Sequence, residues 1–230
     1  YYTVRAYAGN VTTAKKNKYD AQYWSGYDNS GVQGRFVTVP SISGEKASAS
    51  GRTITWKSVS NVSGYAIYRK VSGGSWGMID TTTSTSYTDT DKLTNGKTYY
   101  YTVRAYVGNA DTATANKYDS SYWSYYDTTG IKTVYTTTPS LDTAVKLSSG
   151  IRVTWSAVSG ASGYAVYRKA PGGSWGMIDT TTSTSYTDKN SGSTAYYYTV
   201  RAYRGNVTTA KANKYSSIYW SGYENDGVTI

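Results

Sequence analysis

The stretch GYAIYRKVSGGSWGMIDTTTSTSYTD, residues 64–89, returns almost unchanged as GYAVYRKAPGGSWGMIDTTTSTSYTD at residues 163–188. Within it, short runs of β-branched and aromatic residues alternate with Gly, Ser and Asp, which is the pattern of strands joined by tight turns. Trp56 and Trp155 precede the two copies and lie 99 residues apart. The sequence is therefore a tandem repeat of a β-rich unit.

A second string, YYTVRAY, occurs three times, beginning at Tyr1, Tyr100 and Tyr197, and Gly-Asn follows soon after each copy. Each copy then leads into a segment of the type KYDxxYWSxYD. The first string has two copies, whereas YYTVRAY and the segment after it have three, so the chain contains two complete units and part of another.

These strings predict complete units at residues 40–138 and 139–230, each beginning with a proline that can open a strand without donating a ladder hydrogen bond. Residues 1–39 match only the C-terminal half of a unit, its last two strands. Because an isolated two-stranded hairpin is marginal in water, we expect a longer natural protein divided inside a unit. The alternative is that this half-unit completes a neighbouring chain by strand addition.

The composition supports an all-β fold and excludes much chemistry. The 230 residues include 28 Tyr, 7 Trp and one Phe, but neither His nor Cys. Disulfides, Cys/His zinc sites and His-dependent catalysis are therefore excluded. A Tyr ring supplies the apolar body of Phe, while its hydroxyl needs water or a partner, which suits a thin two-layer domain. We expect no membrane-spanning helix, since no apolar stretch is long enough.

The strand pattern predicts a β-sandwich of seven short strands in each unit. In strand 98–107, period-2 alternation places Tyr99, Tyr101 and Val103 on one face, with Ala105. The opposite face carries the charge, and we expect it to meet solvent. The six strands predicted within the first complete unit are 52–57, 64–70, 76–81, 85–88, 98–107 and 132–138.

The motifs of the complete units resemble those of fibronectin type III domains. A Trp in the second strand, then GYAIYR, SYTD and LTNGKTYYYTVRAY, carries the resemblance, which implies an immunoglobulin-like sandwich with Tyr99 as the tyrosine-corner residue. The similarity is greatest to tyrosine-rich tandem versions in cell-surface and secreted proteins of Gram-positive anaerobes. The long connection between the last two strands, residues 108–130 in the first complete unit, departs from the family pattern.

No residue pattern favours catalysis. GGSWG at residues 73–77 and 172–176 fits the G-x-S-x-G hydrolase pattern, but it lies between two predicted strands in a chain without His, so it predicts a hairpin turn. The repeated acids could be paired carboxylates of a glycosidase, although turn formation is the simpler role. They are Asp80, Asp89, Asp127, Asp179, Asp188 and Glu224. We expect no enzyme activity, no cofactor and no metal site.

The candidate binding residues are aromatic and basic. Rigid Tyr and Trp side chains give large contact areas, and Arg adds cation–π attraction, so they suit sugar rings or protein hot spots. The structural alternative is that the Trp side chains pack on their own sheet. The candidates in the long connections are Tyr23, Trp24, Tyr27, Tyr122, Trp123, Tyr125, Tyr126, Tyr219, Trp220 and Tyr223. Those on the outward sheet face are Tyr68, Arg104, Tyr106, Tyr167, Arg201 and Tyr203.

We expect a non-catalytic repeat segment of an extracellular protein, either secreted or on a bacterial surface, acting as a spacer and adhesive module. The formal charge of +10 permits binding to anionic cell-wall polymers, and we expect a glycan or a host or cell-surface protein as partner rather than nucleic acid or a membrane. A specific host-protein binder and the accessory modules of a carbohydrate-active or wall-degrading enzyme are the alternatives.

Overall fold

The computed structural model describes residues 3–31, 36–189, 191 and 195–230. The first repeat, residues 40–138, contains strands β1 (Ile42–Ala47), β2 (Arg52–Trp56), β3 (Gly64–Val71), β4 (Gly77–Thr82), β5 (Ser86–Asp89), β6 (Thr98–Tyr106) and β7 (Ile131–Val134). The second repeat, residues 139–230, contains β8 (Leu141–Leu147), β9 (Gly150–Trp155), β10 (Gly163–Lys169), β11 (Gly176–Thr181), β12 (Ser185–Asp188) and β13 (Tyr197–Tyr203). The helices are α1 (Val11–Lys16), α2 (Ala110–Ala115) and α3 (Val207–Ala212).

Each repeat is a sandwich of two antiparallel sheets. In the first repeat, one sheet has the order β1-β2-β5 and the other β4-β3-β6-β7. The second repeat has the orders β8-β9-β12 and β11-β10-β13. There, Tyr198 and Val228 form an isolated bridge with two N–H···O bonds of 2.8 Å, at the position where β7 pairs with β6 in the first repeat. This topology confirms the prediction of tandem immunoglobulin-like sandwiches.

The core lies between the two sheets and follows the predicted alternation of β6. Tyr99, Tyr101 and Val103 are buried against Trp56 of the opposite sheet. The Tyr99 hydroxyl accepts a hydrogen bond from the Thr94 N–H at 2.9 Å, which is the tyrosine corner that the resemblance implied. A buried Tyr thus keeps its hydroxyl satisfied by the backbone of a nearby turn.

Five of the six predicted strands lie within one residue of the observed bounds, and both GGSWG strings lie in hairpin turns as predicted. The sixth, predicted at residues 132–138, ends at Val134. Tyr135 still bonds the backbone of Lys97 and Gly96, and further on the Thr138 hydroxyl donates to the Ala49 carbonyl at 2.8 Å.

The N-terminal segment keeps a local motif without a sheet beneath it. Tyr7 and Trp24 form an isolated bridge, and the Trp24 Nε1–H donates to the carbonyl of Ala14 in α1 at 2.8 Å. Within residues 3–31 and 36–39 no strand is assigned, although Val37 is buried in the core of the first repeat. Every helix in the described part of the chain is too short and too polar to cross a bilayer.

Candidate functional site: the covered sheet face and the junction cleft

The long connection at residues 108–130 folds into a cover over the outer face of the β4-β3-β6-β7 sheet. Gly108 adopts a φ of 84°, in the left-handed region, and Asn109 then caps α2 by accepting the Asp111 N–H at 2.8 Å. After α2 the chain returns over the sheet, and Trp123 forms a bridge with Tyr106. The sequence interpretation missed the three short helices, although Gly-Asn before an Ala/Thr-rich run is a recognisable capping signal.

The tryptophans of this cover, and of the equivalent cover that residues 205–227 form on the second repeat, are structural. Trp123 is 2% exposed and donates its Nε1–H to the Ala113 carbonyl, and Trp220 is 0% exposed and donates to the Ala210 carbonyl, both at 2.8 Å. The expectation that the charged face of β6 meets solvent was wrong, because the connection buries it. The predicted contact residues Trp123, Trp220, Tyr106 and Tyr203 are all buried there.

The predicted arginines hold the cover in place. Arg104 on β6 donates from Nε to the Ser124 carbonyl and from Nη1 to the Lys117 carbonyl, both at 2.9 Å. Its guanidinium carbon lies 4.9 Å from the ring centroid of Trp123. Arg201 makes the same bonds in the second repeat, to Ser221 and Lys214, and 5.1 Å separates its guanidinium carbon from the Trp220 ring.

The remaining candidates lie partly in or against the covers of the two repeats and partly in the N-terminal segment. In the first repeat, Tyr68 and Tyr126 stack with ring centroids 6.2 Å apart. Tyr125 is 75% exposed. Tyr23, Trp24, Tyr122, Tyr167, Tyr219 and Tyr223 are half-buried, and Tyr27 is exposed.

Two of the repeated acids belong to the interior of the sandwich. Asp89 is buried, and its Oδ2 accepts from Arg69 Nη1 at 2.7 Å and from the Tyr101 hydroxyl at 2.5 Å. The second repeat has the same cluster in Arg168, Asp188 and Tyr198. Asp89 also accepts the Asp91 N–H on Oδ1 at 3.2 Å, as a turn former does, so the turn interpretation described part of its role and missed the buried cluster. Among the described residues, no three potential Asp, Glu, His or Cys ligands lie close enough together to hold a metal.

The two repeats meet through a junction that contains a half-buried acid, Glu45. Glu45 on β1 accepts a hydrogen bond from the Thr133 hydroxyl at 2.9 Å, and that hydroxyl lies 2.5 Å from the hydroxyl of Ser217 in the second repeat. Ser217 and Thr133 are both fully buried. Burial raises the pKa of Glu45, although bonds from Ser217 and Thr133 and the charge of Arg52 oppose that rise.

Arg204 joins both repeats through its whole guanidinium group. Its Nε donates to the Thr136 hydroxyl and its Nη2 to Asn95 Oδ1, both at 2.9 Å, and its Nη1 donates to the Gly160 carbonyl at 3.0 Å. These partners lie in the linker region, in a loop of the first repeat and in a loop of the second. One side chain therefore fixes three segments.

The closest approach at the junction is made by a glycine. Gly222 is buried, and a Cβ added there would lie 1.9 Å from the Ser48 carbonyl oxygen and 2.4 Å from its carbon. The β1–β2 hairpin, which contains Ser48, therefore rests directly on the backbone of the second repeat's cover. Only glycine permits this distance.

Beside this contact lies an open cleft of about 620 Å³ between the β1–β2 hairpin and the second repeat. Its lining includes three basic side chains and no acidic one. Three predicted residues, Tyr167, Arg201 and Tyr223, contribute to it. The sequence interpretation missed the other main contributors, Lys46, Trp175, Lys214 and Tyr215, because the cleft exists only once the hairpin is docked.

No protein-family model and no curated protein matches the chain. Among solved structures it is similar to the FN1–FN3 domains of chicken CNTN1, with 19% identity over 90% of this chain and 70% of that one and a TM-score of 0.34. The chicken interferon gamma receptor alpha chain gives 12% identity, 84% and 98% coverage and a TM-score of 0.40. A two-domain fibronectin type III segment of chicken tenascin is 14% identical, over 85% of this chain and 99% of that one, with a TM-score of 0.33.

The strand order itself defines the class of the protein. It contains two tandem immunoglobulin-like β-sandwiches, each built from two antiparallel sheets. The helical cover over one sheet of each repeat is the addition that distinguishes these sandwiches from a plain two-layer domain.

Proposed function

We propose that this chain is a non-catalytic spacer segment of a bacterial cell-surface or secreted protein, in which docked repeats hold a fixed orientation and present a ligand-binding surface. The observation that supports this proposal most directly is the junction, where Gly222 contacts the Ser48 backbone and Arg204 forms hydrogen bonds to three segments. Flexible linkers between domains leave relative motion as the default, whereas a buried, fully bonded contact restricts it. The bacterial setting rests on the tyrosine-rich tandem pattern.

The residues also support a non-catalytic role. The chain has no His or Cys, and its buried aspartates are engaged with arginine and tyrosine inside the sandwiches. Surface presentation is supported by Tyr125 in the first repeat and Tyr215 in the second, each of which is 75% exposed. Large exposed aromatic rings on successive repeats suit an adhesive module that binds through several weak contacts.

Pulsed electron paramagnetic resonance tests the spacer role. The chain has no Cys, so Ser84→Cys and Ser183→Cys would supply the only two label sites, at exposed equivalent positions of the two repeats. A rigid spacer gives one narrow distance distribution between the labels. A broad distribution would overturn the proposal that the repeats hold a fixed orientation.

A further inference from the structure

We propose that the junction cleft is a binding site for an acidic saccharide, a chain of sugar rings that carries carboxylate or sulfate groups. The inference goes beyond the spacer function, because a spacer needs the junction but not the cleft beside it. It rests on the charge, the aromatic walls and the two-sided construction of the cleft.

The charge of the cleft selects an anion. Lys46 from the first repeat and Arg201 and Lys214 from the second all line the same space, and the lining contains no Asp or Glu. Lys46 and Lys214 are exposed and free to reorient. Arg201 is fixed, since its Nε and Nη1 donate to the Ser221 and Lys214 carbonyls. An anion in the cleft therefore meets two mobile ammonium groups and one positioned guanidinium.

The walls favour sugar rings over an acidic peptide. Tyr167, Trp175, Tyr215 and Tyr223 line the cleft, and their flat rings can stack on the C–H faces of pyranose rings. Trp175 is held in place, since its ring packs against Gly227 and Lys169 Nζ lies 4.5 Å from its centroid. A volume of about 620 Å³ is within the ordinary range for a small-molecule site.

The docked β1–β2 hairpin is the feature that distinguishes this cleft from the equivalent surface of the first repeat. There, Lys117 Nζ lies 5.2 Å from the Tyr118 ring, just as Lys214 Nζ lies 5.0 Å from the Tyr215 ring. Arg104 also bonds the Lys117 carbonyl at 2.9 Å, as Arg201 bonds that of Lys214. The two Lys-Tyr pairs thus have the same local geometry, but only the second faces a β1–β2 hairpin.

This similarity supplies a matched control. Binding of the whole chain to trigalacturonic acid would be measured by isothermal titration calorimetry, with neutral galactotriose and a hexaglutamate peptide as comparison probes. The double variant Lys214→Ala, Tyr215→Ala should weaken binding of the acidic trisaccharide at least about tenfold. Lys117→Ala, Tyr118→Ala should leave it unchanged. All four side chains are exposed, so equal melting temperatures would show that both variants fold.

A third variant, Gly222→Tyr, displaces the hairpin and should also abolish binding, since it removes one wall without altering any cleft side chain. Three results would overturn the proposal: no binding of the acidic trisaccharide, equal losses in the two double variants, or equal binding of hexaglutamate and the trisaccharide. Failure of binding would leave the label-distance measurement unaffected. The spacer function and the saccharide site can therefore fail independently.

Discussion

Replacing Gly222 by alanine tests whether the two repeats are locked together. The added Cβ would lie 1.9 Å from the Ser48 carbonyl oxygen, a backbone atom that cannot rotate away. Overpacking of this kind costs about 1–3 kcal/mol, so the ratio of docked to undocked molecules should fall about 5- to 150-fold. Each sandwich keeps its own core, so the loss falls on docking rather than on folding.

The assay is the distance distribution between labels at Ser84→Cys and Ser183→Cys, which should broaden in the alanine variant. Gly26→Ala is the matched control, because Gly26 occupies the same place in the YWSGY string and a Cβ there meets nothing within 4 Å. It should leave the distribution unchanged. If Gly222→Ala and Gly26→Ala gave the same narrow distribution as the parent chain, the reasoning that Gly222 is the point of contact would be refuted.

Trp123→Ala should lower the free energy of unfolding of the first repeat by about 3–5 kcal/mol, measured in urea. Tyr125→Ala, which removes an exposed ring, should change this free energy by under about 0.5 kcal/mol. Similar losses in the two variants would contradict a structural role for Trp123. Asp89→Ala leaves the half-buried Arg69 guanidinium and the buried Tyr101 hydroxyl without the carboxylate that they share, and should cost at least about 2 kcal/mol. A change under about 1 kcal/mol would disprove this expectation. Because the pKa of Glu45 is raised in the folded chain, its carboxyl group stays protonated above pH 4.5, the group's ordinary pKa, whereas in the unfolded chain it loses its proton there. Stability attributable to Glu45 is therefore lost as pH rises from about 4.5 through the folded pKa, and Glu45→Gln should raise the melting temperature more at pH 7 than at pH 4; a pH-independent difference would rule this out.

The sandwich was predictable because its signal is local and repeated. The alternation of Tyr99, Tyr101 and Val103 along one strand places these side chains on one face, and the apolar rings and methyl groups on that face predict that it enters the core. The tyrosine corner was also predictable, since Tyr99 bonds the backbone only five residues upstream. Both features can be recognised within a single strand and the turn before it.

The cover was not predictable from the same alternation. Thr102, Arg104 and Tyr106 read as a solvent-facing set because they include a charge, yet the connection folds back and encloses them. The guanidinium tolerates this position because backbone carbonyls of Ser124 and Lys117 accept its protons. Period-2 alternation shows which residues share a face, but a segment distant in the sequence decides whether that face is exposed to solvent.

The candidate site was predictable only in part, for a related reason. Tyr167, Arg201 and Tyr223 were predicted because they belong to one repeat and share a surface. Lys46 lies in the other repeat, about 150 residues earlier than Arg201 in the chain, and no periodicity connects the two. A site formed by docking requires the relative placement of two domains, which is set by individual contacts rather than by pattern.

The position of Gly222 in the cover therefore affects the docking of the repeats, although the repeat pattern alone does not indicate this. The string YWSxY carries Gly26 in the N-terminal segment, Tyr125 in the first repeat and Gly222 in the second. A hairpin seated on the first repeat as Ser48 is seated on the second would meet the Tyr125 side chain instead of bare backbone. The same sandwich and the same cover thus permit tight docking on one repeat and forbid it on another. A single glycine-to-tyrosine difference can in this way change the stiffness of a tandem array, and the clefts between its domains, without altering any core residue.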